Sequence, residues 1–183
     1  MPFTFQPLAI PDLVLVTPRM LSDARGFFME TFRASDFRAA GIATEFVQDN
    51  HSLSAMGVVR GLHFQAPPHA QGKLVRVALG RVWDAAVDLR RGSPTFGRSC
   101  GAELSDENHA MLWIPPGFAH GFATLSPTAH LLYKCTAEYD PASDRGVRWN
   151  DPALGLRWPV DAPLVSPRDA ALPLLKDLGA PWA

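Results

Sequence analysis

The chain has 183 residues, of which 47% are hydrophobic, and its 17 basic and 18 acidic residues give a net charge of −1. This length and composition predict one folded domain over residues 1–183 and exclude a disordered chain. The charge balance leaves no basic excess for a nucleic-acid backbone, and no apolar run approaches the roughly 20 residues of a membrane helix, so we expect neither partner.

Seventeen prolines and fourteen glycines divide the chain into short apolar runs. In chain order, we predict strands at residues 13–17, 26–32, 58–64, 74–79, 82–89, 111–114, 121–125 and 130–138. Short strands at such spacing are typical of an antiparallel sandwich or barrel. No helical period is long enough to predict a helix bundle.

Helices are expected to be few and short. Ser35 is a candidate N-cap for a helix over Asp36–Ala40, and Gly41 is a candidate stop. Single helical turns are expected at residues 106–108 and 167–171. The segment 159–183 is rich in proline and alanine, and we expect it to wrap the barrel as an irregular tail.

Three polar residues share the parity of apolar neighbours in their predicted strands. They are Lys73, Asp84 and Tyr133. Because successive side chains of a strand point to opposite faces, this parity predicts that the three project toward the apolar side. Charges and a phenol inside a small barrel need partners or water, which indicates an interior binding site.

Cysteine usage and the N-terminus bear on the compartment. Cys100 and Cys135 form no CxxC pair, so we expect two free, buried thiols in a reducing cytoplasm. The first residues lack the basic and apolar regions of a secretory signal.

A motif in the second half of the chain resembles one signature of the cupin superfamily. Pro115, Gly117 and His120 fit the pattern P-x-G-x-x-H. The other cupin motif of metal-binding members contains two histidines separated by one residue. In this chain the first of these positions is His63, but the second is Gln65. Two histidines do not supply the three protein ligands of a catalytic metal, so we expect no metal.

Six strings of the chain together resemble the dTDP-4-dehydrorhamnose 3,5-epimerase family. They occur in the family's order within residues 10–175 and are QDNHS (48–52), RGLHFQ (60–65), QGKLVR (71–76), PTFG (94–97), GFAHGF (117–122) and WNDP (149–152). The resemblance implies an all-β, cupin-type double-stranded β-helix (jelly-roll) barrel with a few short helices and no cofactor. It also implies a homodimer whose N-terminal strands cross to the partner.

The reaction that the resemblance implies converts dTDP-4-dehydro-6-deoxyglucose to dTDP-4-dehydro-L-rhamnose in dTDP-L-rhamnose biosynthesis. Both inverted carbons, C3 and C5, flank the C4 ketone, so inversion needs a base, an enolate stabiliser and an acid on the opposite face. His63 is the candidate base, held by Asp169. Lys73 is the candidate stabiliser of the enolate, and Tyr133 is the candidate acid.

The resemblance also implies a set of residues that bind the nucleotide sugar. They are Arg25, Phe28 (with its neighbour Phe27 as the alternative), Glu30, Gln48, Asn50, Arg60, His120, Tyr139, Asp144 and Arg168. Tyr139 is expected to stack on the base, and Arg25 and Glu30 to serve the neighbouring subunit. Asp144 and Arg168 stand where glutamate and lysine are common in the family.

Two geometric expectations accompany this set. Arg60 and His63 differ by three positions, so a regular strand would point them to opposite faces. Both reach one pocket if a bulge or bend near Gly61 re-aims one of them, or if they sit at different depths. Asp84 is expected to contact Lys73 or His63 without touching the substrate itself.

Three alternatives stay open at the sequence level. A single-centre epimerase of a dTDP-4-keto-deoxysugar in secondary metabolism would keep the same base and acid, and its product stereochemistry would reveal it. A metal-dependent cupin would contain stoichiometric metal. A non-catalytic nucleotide-sugar binder would need neither His63 nor Tyr133.

Overall fold

The computed structural model describes residues 2–179 and 182, most of them in strands or in the turns that join strands. The strands are β1 (Phe3–Pro7), β2 (Val14–Pro18), β3 (Met20–Asp23), β4 (Gly26–Met29), β5 (Gln48–Ala55), β6 (Val58–Gln65), β7 (Lys73–Leu79), β8 (Arg81–Asp88), β9 (Ser99–Ser105), β10 (Met111–Ile114), β11 (Phe118–Thr124), β12 (Thr128–Cys135), β13 (Asp144–Gly146) and β14 (Leu164–Val165). The helices are α1 (Ala34–Ala39) and α2 (Pro167–Ala170), with 3₁₀ turns at Pro152–Leu154 and Leu175–Asp177.

Two sheets face each other across the core. The first has the strand order β1-β2-β10-β7-β12-β5, and the second has the order β13-β6-β11-β8-β9, with β14 parallel to β6. The hairpin β3-β4 forms a separate sheet of two strands. The predicted all-β antiparallel architecture is therefore confirmed.

The core between the sheets follows the alternation of the strands. Val75 and Leu131 of the first sheet pack with Val82, Phe118 and Phe122 of the second. Residues of the opposite parity on β8 and β11 enter a different apolar cluster on the outer face of the second sheet. Thus the polar residues that share the inward parity lie between the two sheets.

Helix α1 covers the outer face of the first sheet. Its Phe37 is buried, with its ring centroid 5.3 Å from that of Phe3. The expected start was wrong, because Arg33 rather than Ser35 is the N-cap. Arg33 pairs with Asp36 across the first turn, which supports the earlier start. Gly41 follows the helix with a φ of +86°, as expected of a stop.

The expectation of an irregular tail was only partly right. Residues 159–183 contain β14, which pairs with β6, and α2, whose first residue is Pro167. The Ser166 hydroxyl accepts a hydrogen bond from the Asp169 backbone N–H at 3.1 Å and caps α2. The tail thereby carries Asp169 to the side of β6.

Strands β5 and β9 were not predicted, because their sequences lack apolar alternation. Six of the eight residues of β5 are polar, and β9 is rich in serine, glycine and alanine. Cys135 is buried as expected, whereas Cys100 is only half-buried; both are free thiols. Among the described residues, no helix is long and apolar enough to cross a membrane.

Candidate active site

A bulge in β6 lets Arg60 and His63 face one cavity. His63 pairs with His120, and Arg60 pairs with Phe122, so three steps along β6 oppose two steps along β11. Gly61 lies within this bulge with a φ of +131°, and a Cβ there would approach the Gly121 Cα to 2.6 Å. The irregularity expected near Gly61 is therefore present, and only glycine fits it.

Two adjacent chambers open from the barrel and share four lining residues. The first chamber has a volume of about 410 Å³ and is lined by Gln48, Asn50, His63, Phe64, Gln65, Gln71, Lys73, Tyr133, Tyr139, Asp144 and Arg168. The second chamber has a volume of about 290 Å³ and is lined by Ser52, Arg60, His63, Lys73, His120, Phe122, Leu131, Tyr133, Ser166, Arg168 and Asp169. The residues that border both chambers are His63, Lys73, Tyr133 and Arg168.

His63 is paired with a buried carboxylate. Its Nε2–H donates to Asp169 Oδ1 at 2.7 Å, and Asp169 Oδ2 accepts the Gly61 backbone N–H at 3.2 Å. Burial lowers the pKa of His63 below its usual value, against the opposing effect of Asp169. A neutral imidazole with Nε2 engaged leaves Nδ1 as the basic nitrogen.

Lys73 and Tyr133 place an ammonium group and a phenol in both chambers beside His63. The Lys73 Nζ lies 5.9 Å from the centroid of the Tyr133 ring. Burial lowers the pKa of Lys73 and raises the pKa of Tyr133. The phenol therefore keeps its proton at neutral pH and is available as an acid.

Asp84 contacts a different residue from those expected. It is fully buried, and both its carboxylate oxygens accept from His120 Nε2, at 2.9 and 3.0 Å, rather than from Lys73 or His63. The register explains this, because Asp84 pairs with Phe122 on β11, two residues from His120 on the same face. The negative charge of Asp84 still favours the ammonium form of Lys73.

One end of the first chamber carries a hydrogen-bonded polar set. Gln48 donates to Asn50 Oδ1 at 3.1 Å and accepts the Tyr139 backbone N–H at 2.8 Å. The Tyr139 hydroxyl donates to Asp144 Oδ2 at 3.1 Å, which raises the pKa of Tyr139. Arg168 forms an ion pair with the same carboxylate. The Tyr139 side chain remains accessible, since the residue is 56% exposed.

Three of the expected binding residues lie outside both chambers. Arg25 and Phe28 belong to the β3-β4 hairpin, and Glu30 follows it. The Arg25 side chain is 90% exposed and pairs with Asp23 at 2.6 Å, while Glu30 pairs with Arg33. Within one chain, these three residues are therefore not brought to His63.

Several chamber residues were missed as site candidates. Gln65 and Gln71 lie within the motif strings, which was the available signal. Gln65 donates to the His69 and Glu138 carbonyls at 2.7 and 3.1 Å and so orders the chamber wall. Ser52, Phe64, Phe122, Leu131 and Ser166 also line the chambers. In the described part of the chain, no three His, Cys, Asp or Glu side chains converge as a metal site would require.

Comparison with known proteins identifies the family. The family model described as dTDP-4-dehydrorhamnose 3,5-epimerase matches residues 7–177. The chain belongs to this family. A curated family relative from Pseudomonas aeruginosa is 56% identical over 164 residues, covering 88% of this chain and 90% of its own length. A relative of the same name from Neisseria gonorrhoeae is 52% identical over 96% of this chain, which spans about half (51%) of that protein.

Solved structures agree with this family and with the cupin-type barrel. An epimerase of Legionella pneumophila in complex with dTDP-4-keto-L-rhamnose superposes with a TM-score of 0.94 at 46% identity, covering 97% of this chain and 95% of that one. A 3'-monoepimerase from Streptomyces bikiniensis in complex with dTDP-quinovose gives 0.88 at 36% identity, with coverages of 93% and 87%. The resemblance and fold predicted from the motifs are confirmed.

Proposed function

We propose that this member of the dTDP-4-dehydrorhamnose 3,5-epimerase family converts dTDP-4-dehydro-6-deoxyglucose to dTDP-4-dehydro-L-rhamnose, in dTDP-L-rhamnose biosynthesis. The observation that carries the proposal is the 2.7 Å pair of His63 and Asp169 in a cavity that Lys73 and Tyr133 also line. These groups match the base, cation and acid that inversion next to a ketone requires.

The proposed step begins with proton transfer. His63 Nδ1 removes the proton from C3 or C5, the C–H electrons form a C=C bond to C4, and the C4 carbonyl becomes an enolate. The Lys73 ammonium stabilises the negative charge on O4. Tyr133 donates its proton to the opposite face of the same carbon, and the carbonyl re-forms. Solvent then reprotonates the tyrosinate and deprotonates His63.

The rest of the assigned set would bind the nucleotide and the sugar. Tyr139 would stack on the thymine, since its side chain is accessible beside Gln48 at one end of the first chamber. Arg168 would bind the diphosphate, and Asp144 holds its guanidinium in place beforehand. Asn50 lines the first chamber, and Arg60 and His120 line the second; the proposed base borders both.

Product stereochemistry tests this function against the single-centre alternative. The structural likeness to a 3'-monoepimerase favours testing that alternative. The protein is incubated with dTDP-4-dehydro-6-deoxyglucose, and the mixture is reduced with borohydride to trap ketosugars. Sugars of rhamno configuration at both C3 and C5 support the proposal. A sugar inverted only at C3 or only at C5 supports the alternative.

We also propose a homodimer in which the β3-β4 hairpin completes the partner's site. Two observations support this role of the hairpin. Arg25, Phe28 and Glu30 lie outside the chambers of their own chain, and Phe28 is 66% exposed. Mixed dimers of Arg25→Ala and His63→Ala subunits test this. If the hairpin crosses to the partner, each mixed dimer has one intact site and about half of the wild-type activity. If Arg25 serves its own chain, both sites of the mixed dimer are inactive.

Three further proposals concern the domain, the cellular compartment and the cofactor. We propose a single cupin-type epimerase domain over residues 1–183, located in the cytoplasm, where two free thiols stay reduced. We further propose that no metal or cofactor takes part, because a base, a cation and an acid suffice for the reaction. Full activity after prolonged dialysis against EDTA is the expected result, and a loss restored by metal would contradict it.

A further inference from the structure

The inward face of β5 is a row of four polar side chains. Gln48, Asn50, Ser52 and Ser54 alternate with outward residues along the strand. They lie opposite the inward residues of β12, where Asn50 pairs with Tyr133 and Ser52 pairs with Leu131. This row therefore borders the region that holds the proposed acid.

Three members of the row have protein partners. Gln48 and Asn50 bond to each other, and Asn50 also donates to the Cys135 sulfur at 3.5 Å. The Ser54 hydroxyl accepts from Arg60 Nε at 2.9 Å. The Ser52 hydroxyl is buried and has no hydrogen-bond partner among residues 2–179 and 182. Buried polar groups of native proteins are rarely left so, since an unmade hydrogen bond costs free energy.

The position of Ser52 indicates what satisfies it. The residue is half-buried and lines the second chamber together with His63, Lys73 and Tyr133. Rotation about its Cα–Cβ bond redirects the oxygen between staggered positions at low cost. A hydroxyl can donate and accept at once, which suits a sugar hydroxyl better than a phosphate or a ketone alone.

We propose that the Ser52 hydroxyl binds the C2 hydroxyl of the sugar and is a specificity-determining residue. The inference rests on the proposed function, because it uses the sugar of that substrate. The ring of a 4-keto-6-deoxyhexose that carries a nucleotide on C1 has free hydroxyls only at C2 and C3. The C3 hydroxyl changes sides during the reaction, whereas the C2 hydroxyl stays in place through both inversions. A fixed serine can therefore hold only the C2 hydroxyl throughout.

Binding of stable mimics tests this independently of turnover. Calorimetry compares dTDP-glucose with dTDP-2-deoxyglucose on the wild type, on Ser52→Ala and on Thr124→Val. Thr124 is the matched control, since its hydroxyl is also buried without a partner among the described residues but lines neither chamber. One neutral hydrogen bond corresponds to about a 2- to 12-fold change in affinity.

The expected pattern is specific to one variant and one ligand. Ser52→Ala weakens the binding of dTDP-glucose by that factor. It leaves the affinity for dTDP-2-deoxyglucose unchanged and does not lower the melting temperature. Thr124→Val leaves the affinity for both ligands unchanged. Equal losses for both ligands, or no loss for dTDP-glucose, overturn the role of Ser52 even if the protein is an epimerase. No binding of dTDP-glucose to the wild type overturns the role of Ser52 and counts against the proposed function as well.

Discussion

His63 and His120 lie directly opposite each other on β6 and β11, and each donates its Nε2–H to its own buried carboxylate. The carboxylates come from different elements, Asp169 from α2 and Asp84 from β8. Each pair fixes the same ring nitrogen and leaves Nδ1 for a ligand. Two oriented imidazoles thus share one cavity, and they differ in that only His63 is assigned to proton abstraction.

Replacing Asp169 tests the first pair. Asp169→Asn keeps the shape of the side chain but cannot stabilise the imidazolium or enforce the tautomer of His63. We expect kcat to fall by about 10²- to 10⁴-fold with little change in KM. Steady-state kinetics measure this, with Asp161→Asn, an exposed position of the same tail, as control. An unchanged kcat would remove Asp169 from the mechanism.

The second pair is tested at Asp84. Asp84→Asn removes a charge-assisted hydrogen bond to His120, and we expect kcat/KM to fall by about 10- to 150-fold. Burial lowers the pKa of Lys73, and Asp84 is one of the groups that oppose this. The alkaline limb of the pH profile should therefore move to lower pH. Asp49→Asn, which breaks only the exposed ion pair with Lys134, should change neither quantity.

The acid limb of the pH profile reports on His63. Burial lowers the pKa of His63 below its usual 6.5. A general base works in its neutral form, so activity should be complete above this pKa and fall as the pH drops through it. We expect the midpoint of the acid limb of kcat/KM below 6.5, with circular dichroism showing a folded protein throughout. A midpoint above 6.5 would contradict this environment for His63.

Tyr133→Phe separates the two halves of the reaction. Without the phenol, His63 still removes the proton but must return it to the same face. We expect deuterium to enter the substrate from D₂O while inversion slows by about 10²-fold or more. Proton NMR measures exchange and inversion in one sample. Inversion at the wild-type rate would exclude Tyr133 as the acid.

A separate prediction concerns stability. Burial disfavours the charge of Asp88, but hydrogen bonds from Arg90, Ser93 and Thr95 outweigh it and lower the pKa to about 2. The stabilisation is therefore complete above the ordinary value of 3.8 and is lost as the pH falls from about 4 to about 2. We expect Asp88→Asn to lower the free energy of unfolding by about 2 kcal/mol at pH 7.

Urea unfolding at several pH values checks the stability prediction. The difference between wild type and Asp88→Asn should shrink as the pH approaches 2. Asp12→Asn, which removes the exposed partner of Arg90, serves as the control and should cost less than about 1 kcal/mol. A difference that persists unchanged at pH 2 would mean that the carboxylate charge is not what stabilises this loop.

Strand parity in the sequence predicted much of the fold and the lining of the barrel. Lys73, Asp84 and Tyr133 stand among apolar residues of the same parity, and burial of one face makes that pattern visible. Strand β5 was missed, since its inward face carries polar side chains and so lacks the apolar alternation. Leu79, which continues the parity of Lys73, is 52% exposed because the strand register shifts near its end.

Partners that are distant in the chain could not be predicted from local pattern. Asp169 lies 106 residues from His63, and only the family resemblance indicated that they pair. The partner of Asp84 depends on the register of β8 against β11, which parity does not specify. The proposed role of Ser52 rests on a hydroxyl that stays without a partner among the described residues after folding, which local sequence pattern does not reveal.

The most direct test of the central claim is proton NMR of dTDP-4-dehydro-6-deoxyglucose in D₂O with wild-type protein and with His63→Ala. We expect deuterium at both C3 and C5 with formation of the rhamno product by the wild type. We also expect a loss of exchange of about 10²-fold or more in the folded variant. Exchange at neither carbon with folded wild-type protein, or equal exchange by the variant, would contradict the assignment of His63 as the base.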